Sequence, residues 1–247
     1  MIRVCDDLES LSQAAADLFT AAAQWAVTEQ GRFSVALSGG STPRRCYELL
    51  AQPPFRDRIP WSKVHVFWGD ERCVPANDPR SNARMAREAL LDHVPLSAGQ
   101  IHPISCVADP NAAALNYQQM LTEFFAAGSP RFDLVFLGLG DDGHTASLFP
   151  GTAALQETER WVTAVRKPGE DISRLTLTAP LLNRAGLVVF LVAGAGKTNI
   201  LHQVLQGSTR EKRFPAQLIA PQNGELIWLV DRAAGSGVKS LERQGEQ

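Results

Sequence analysis

The stretch from residue 132 to residue 151 constrains this chain more than any other. It opens with Phe132-Asp133-Leu134-Val135-Phe136-Leu137, an almost wholly apolar run. Such a run reads as a strand buried on both faces, and sheets that bury both faces are mostly parallel and covered by helices. The run stops at Gly138 and Gly140, and Asp141, Asp142 and His144 follow at once. Buried strand, glycine turn, then titratable side chains is how an open α/β sheet builds a site at its carboxyl edge. An adjacent carboxylate, Asp141 or Asp142, can orient an imidazole and tune its pKa, so His144 reads as a general base. The plainer alternative is a histidine that only caps or packs a turn. The spacing of Gly138, Gly140 and Gly143 also matches a dinucleotide fingerprint. That motif needs a long crossover helix, and Pro150-Gly151 arrives too soon for one. Asp141 and Asp142 would also face the anionic pyrophosphate.

Read from the start, the chain alternates between helical and strand patterns. Residues 6–30 carry Leu8, Leu11, Ala15, Leu18, Phe19, Ala22 and Trp25 at helical spacing, closed by Gly31. A short strand over residues 33–37 then enters Ser38-Gly39-Gly40-Ser41-Thr42-Pro43, with Thr42 expected as the N-cap and Pro43 at the first helical position. Glycines let a backbone wrap an anion, the helix dipole favours its charge, and Ser41 and Thr42 add hydroxyls, so this loop reads as a phosphate cradle. Residues 63–68 form a second apolar strand that ends in Gly69-Asp70-Glu71-Arg72, and Arg72 offers a planar fork for a phosphate or carboxylate. A helix starts near Ser81-Asn82, 101–104 is at most a weak strand, and 109–127 reads as a helix with Asp109 as its cap. Strands are expected over 161–165 and 174–178, a short helix over 179–184, and strands over 187–192 and 226–230. Gly194-Ala195-Gly196-Lys197-Thr198 resembles a Walker loop but has Leu191 where the first glycine belongs. Lys197 can still reach an anion as a point charge.

No internal repeat or linker interrupts this alternation. One domain over residues 1–234, with a mainly parallel sheet between helix layers, is the economical architecture, and 235–247 reads as a disordered tail. The net charge of −2 gives no reason to expect nucleic acid or membrane as a partner. Cys5, Cys46, Cys73 and Cys106 are scattered without a CxxC pair, which fits reduced thiols and a cytoplasmic location and argues against a disulfide framework or structural zinc. No signal peptide and no membrane span are evident.

Taken together, Ser38-Gly39-Gly40-Ser41-Thr42-Pro43, Gly69-Asp70-Glu71-Arg72 with Ser81-Asn82, the run from Gly138 to Pro150, Arg174-Leu175-Thr176 and Gly194-Ala195-Gly196-Lys197 recur in that order in the 6-phosphogluconolactonases, which the chain resembles over nearly its whole length. That family shares its three-layer α/β/α, Rossmann-like fold with the glucosamine-6-phosphate deaminases. The resemblance implies hydrolysis of 6-phosphogluconolactone to 6-phosphogluconate in the oxidative pentose phosphate pathway, with no cofactor and no metal. It implies His144, Asp142 and Asp70 as catalytic groups, with Asp70 facing the sugar ring. Gly39, Gly40, Ser41, Thr42, Arg72, Arg174 and Lys197 would surround the phosphate. The expected partner is a small sugar-phosphate lactone, and the expected state a monomer or small homo-oligomer. Two alternatives stand beside this reading. A deaminase carries a glutamate where this chain has Phe149, which cannot shuttle protons. A non-catalytic sugar-phosphate-binding protein would be expected to lose His144 or its carboxylates, and they are present.

Overall fold

The computed structural model describes residues 1–106, 109–125, 130–207 and 214–238. In chain order the elements begin with β1 (Ile2–Cys5), α1 (Leu8–Gln30), β2 (Phe33–Leu37), α2 (Ser41–Leu50), α3 (Phe55–Arg58), β3 (Val64–Trp68), β4 (Asp70–Arg72), α4 (Asn82–Ala89) and α5 (Pro110–Phe124). They continue with β5 (Leu134–Leu137), β6 (Val162–Arg166), β7 (Ser173–Leu177), α6 (Ala179–Leu182), β8 (Leu187–Val192), α7 (Thr198–Gln206), β9 (Glu225–Asp231) and α8 (Arg232–Gly235). Six strands form one sheet in the order β1-β9-β8-β5-β2-β3, and every pairing in it is parallel. Its central strands β2, β5 and β8 are the apolar runs, and β2 and β5 are buried at every residue. Helix α1 packs against β1, β2, β8 and β9, with α2 beside it. This is the mixed α/β architecture with a mainly parallel sheet that the alternation of patterns implies.

A second sheet was not legible as such. The short strand β4 pairs antiparallel with β7, and β7 with β6, giving the order β4-β7-β6. Gly69 is the joint between the two sheets: its N–H donates to Leu37 of the large sheet, and its carbonyl accepts from Leu177 of the small one. The chain thus leaves β3, passes one residue, and enters the other sheet.

Several expectations need correction. Cys73 and Cys106 are joined in a disulfide, while Cys5 and Cys46 are free and buried. A sequence separation of 33 gives no sign of that contact, because the fold alone brings the two together. Helix α2 starts at Ser41 with Gly40 as N-cap, two residues earlier than Thr42 and Pro43 suggested. Trp25 and Leu8 lie on the outside of α1, 63% and 38% exposed, despite fitting its apolar spacing. Ile2–Cys5 is a strand that periodicity missed, and Ile101 makes only an isolated bridge to Val66. The expected tail begins inside the described residues. Arg232–Gly235 is a helical turn, Val238 is buried, and the rest of the expected tail lies outside the described residues. So does the end of the helix expected to reach residue 127.

Candidate active site

The turn after β5 is built by hydrogen bonds that leave His144 little freedom. Gly140 N–H donates to the His144 carbonyl at 2.8 Å, and Gly143, at φ +77°, closes the inner turn onto Gly140. Asp142 grips His144 twice, accepting from its backbone N–H at 3.0 Å and from ring Nδ1 at 2.5 Å. Partial burial works to raise the Asp142 pKa, but the bonds from His144 outweigh it and hold the carboxyl below its ordinary range. With Nδ1–H given to Asp142, the other ring nitrogen, Nε2, is the one left to accept a proton. Phe149 packs against the ring, with centroids 4.6 Å apart. A Cβ on Gly140 would sit 2.0 Å from His144 Nδ1, so the ring can hold this place only because residue 140 has no side chain.

Ala146 follows at φ +47°, the one non-glycine residue with positive φ among the described residues. A strained backbone of this kind persists only where its surroundings fix it. They do so here through both neighbours. Thr145 Oγ1 donates to the Gly138 carbonyl at 2.8 Å, and Ser147 Oγ donates to Asp70 Oδ2 at 2.6 Å. The Ser147 N–H reaches Thr176 Oγ1 at 3.2 Å. The kink therefore staples the His144 turn to the large sheet on one side and to the small sheet on the other.

The small sheet carries the charges. Alternate residues of a strand share a face, and the register sets Asp70 opposite Thr176 and Arg72 opposite Arg174. Two arginines placed directly across a ladder repel, so the arrangement is suited to an anion between or beside them. Arg72 Nη1 donates to the Arg80 carbonyl at 2.5 Å, and Arg174 Nη2 pairs with Glu170 at 2.6 Å while its guanidinium lies 5.1 Å from the centre of the Phe149 ring. Their Nε atoms, and the Oγ of Ser38, are buried and lack a partner. All three residues line one hollow of about 150 Å³, together with Gly39, Gly40, Asp70, Asn82, Gly138, Gly140, His144 and Ala146. Buried polar atoms are normally satisfied, so three unsatisfied ones around a single hollow mark where an oxygen-rich group is received. The first turn of α2 adds to this, because Gly40 caps it without a side-chain hydrogen bond and no acidic residue stands there.

Of the residues expected to form the site, His144, Asp70, Gly39, Gly40, Arg72 and Arg174 come together around this hollow, with Asp142 bonded to His144 behind it. Ser41 and Thr42 stand in the first turn of α2, outside the lining. Lys197 lies elsewhere, bonded to Asp141 at 2.5 Å. Asp141 and Asp142 edge a second hollow of about 510 Å³ that also touches Phe149, Lys167 and Asn199. Sequence reasoning gave no role to the buried polar residues Ser38, Ser147, Thr176, Glu71 and Asn82. All five lie in the motifs above, but nothing local in the sequence tells which way their side chains turn.

A sequence profile described as glucosamine-6-phosphate isomerases/6-phosphogluconolactonase matches residues 6–228. The chain is 50% identical to a 6-phosphogluconolactonase of Synechocystis sp. over 87% of its own length and 88% of the relative's. It is 45% identical to one of Nostoc sp. over 95% and 97%. The solved structure of a 6-phosphogluconolactonase from Trypanosoma cruzi superposes with a TM-score of 0.84 at 29% identity, covering 96% of each chain. A monomeric glucosamine-6-phosphate deaminase, at 20% identity and a TM-score of 0.80, shares the fold. The chain belongs to the glucosamine-6-phosphate isomerase/6-phosphogluconolactonase family.

Proposed function

We propose that the protein hydrolyses 6-phosphogluconolactone to 6-phosphogluconate, as a carboxylic ester hydrolase of the oxidative pentose phosphate pathway. One observation carries the reading. A histidine oriented by a carboxylate shares a hollow with two arginines and a serine whose buried polar atoms await an oxygen-rich partner. His144 Nε2 takes a proton from water as the water oxygen bonds to the lactone carbonyl carbon, and Asp142 steadies the imidazolium that results. Backbone N–H groups of the glycine turn stabilise the oxyanion. The carbon–ring-oxygen bond then breaks, and the proton held by His144 passes to the departing oxygen. Arg72, Arg174, Ser38 and the Gly39–Gly40 turn receive the phosphate, with Ser41 and Thr42 beside them. Asp70 faces the sugar. Lys197 joins the phosphate site by exchanging Asp141 for the dianion.

Phe149 favours this reaction over deamination. Its ring packs against His144 at a tilt and offers no group that moves a proton. A sugar phosphate dianion does not cross a bilayer unaided, which supports cytoplasmic work on a soluble small molecule, with neither nucleic acid nor membrane as partner. Among the described residues no helix is long and apolar enough to cross a membrane. The test is lactone hydrolysis followed above the spontaneous background, with deamination of glucosamine 6-phosphate run in parallel. Catalysed hydrolysis without ammonia release is the expected result, and the reverse pattern would move the protein to the other branch of its family.

A further inference from the structure

Glu71 has no place in the chemistry above, yet it is one of the most deeply buried carboxylates among the described residues, 4% exposed. On β4 it points away from Asp70 and Arg72, towards the start of α4. Its two oxygens accept four hydrogen bonds, all from neutral donors. These come from the backbone N–H of Arg72 at 2.7 Å, of Asn82 and Ala83 at 2.8 Å each, and from the Ser81 hydroxyl at 3.0 Å. Asn82 and Ala83 open α4, so their N–H groups have no acceptor within the helix. Burial pushes the Glu71 carboxyl up, against the pull of these donors.

Asn82 then reaches back into the site. Its Nδ2 donates to the Asp70 carbonyl at 2.9 Å and lies 3.3 Å from Asp70 Oδ1. Its Oδ1 fills the space beside Gly39, where a Cβ would stand only 1.8 Å away. Asn82 is 2% exposed and lines the same hollow as His144, Arg72 and Arg174. The connection is continuous. Glu71 fixes the backbone of Asn82, and the Asn82 side chain fixes both Asp70 and the glycine turn of the phosphate cradle.

We infer that Glu71 is a positioning residue for the reaction and acts through Asn82, which sets the Asp70 carboxylate and the Gly39 turn. This rests on the lactonase reading. A cap that served α4 alone would cost stability when removed and leave the chemistry of the folded protein unchanged. Misplacing groups in a site by about an ångström costs roughly a hundredfold in rate, so the two roles separate in kinetics.

The experiment measures kcat and KM for 6-phosphogluconolactone, corrected for the folded fraction, in the wild type, Glu71→Gln, Asn82→Ala and the double variant. Each single change is expected to lower kcat/KM by roughly ten- to a hundredfold. The double variant should lose hardly more than the worse single, because residues acting in series do not add. Should Glu71→Gln fail to fold, Glu71→Asp takes its place with the same expected loss, because the shorter carboxylate draws on the Asn82 and Ala83 N–H groups from a different position, and Asn82→Asp tests the second link, since it keeps the backbone bonds to Glu71. It sets a carboxylate against Asp70, and the acid limb of the kcat/KM profile should move to higher pH. Single variants within about twofold of wild type once corrected for folding, losses that multiply in the double variant, or an acid limb unmoved by Asn82→Asp would each overturn the inference. A wild type without lactonase activity would instead overturn the proposed reaction, so the two failures are distinct.

Discussion

The two sheets supply the site in different currencies. The large parallel sheet contributes backbone: turns at Gly39, Gly40, Gly140 and Gly143, and one histidine held by the last of them. The small antiparallel sheet contributes charge: Asp70, Arg72 and Arg174 on one face of a two-strand ladder. If the division is functional, damage to the turn should appear in kcat, and damage to the ladder should appear in KM for phosphorylated substrates.

The largest effect is expected at the turn. His144→Ala should fold and bind 6-phosphogluconate while losing at least roughly a hundredfold in kcat. Gly140→Ala should imitate it, because the added methyl occupies the place of the imidazole. Turnover close to wild type in either folded variant would break the comparison on the side of the large sheet. The next effect is on stability. The disulfide ties Cys73, directly after Arg72, to Cys106, and closing a loop of that length contributes about 3–4 kcal/mol in the chain-entropy account. Cys73→Ser should lower the unfolding free energy by about that amount in chemical denaturation, and an unchanged midpoint would show that the small sheet holds without it.

Arg174→Ala comes third. Loss of a charged hydrogen bond is worth about 1.5–3 kcal/mol, read as a rise in KM for the phosphorylated lactone, with little change for unphosphorylated gluconolactone. Equal losses on both substrates would make Arg174 a structural or chemical residue and would erase the distinction between the sheets. The smallest effect belongs to the edge of the large sheet, away from the chemistry. His102, bonded to His65 at 3.2 Å and stacked on Phe67, is held at a pKa of about 4 by burial and by its neighbour. Its unfolded value is near 6.5, so the unfolded chain takes up the proton first as the pH falls. Stability is therefore complete above about pH 6.5 and is lost on the way down to about 4. Between pH 7 and pH 5 the loss attributable to His102 should be about 1–2 kcal/mol, and His102→Asn should flatten it. A pH dependence identical in the variant would assign the acid sensitivity to other groups.

How much of this was legible follows the same division. The core strands of the large sheet announce themselves, because a strand buried on both faces must be apolar at every residue, and 134–137 and 187–192 are. The glycine turns at their ends were equally plain. The small sheet hid because β4 lies far along the chain from β6 and β7, which are neighbours, and because its strands mix charges with apolar residues, so each looks like a loop or a lone strand. Its register, which sets Arg72 against Arg174, has no local signal. Thr42 looked like a better cap than Gly40 because propensity favours a hydroxyl there, but an uncapped first turn leaves its N–H groups for another acceptor. Trp25 kept the helical period of α1 and still faces outward, since periodicity identifies a face without saying how far the sheet extends beneath it. Lys197 and Asp141 were each noticed, and their pairing depends on how α7 returns over the turn.

The close approaches at Gly39 and Gly140 have a consequence for how such a chain can drift over generations. Every single-base change that alters a glycine codon adds a Cβ or ends translation. At these two places a Cβ would stand 1.8 Å from Asn82 Oδ1 and 2.0 Å from His144 Nδ1. The genetic code thus offers no mild exit from either position. Selection should hold these two residues, which donate no side chain at all, as tightly as it holds the histidine itself. Arginines in the ladder can still be exchanged for lysine at partial cost.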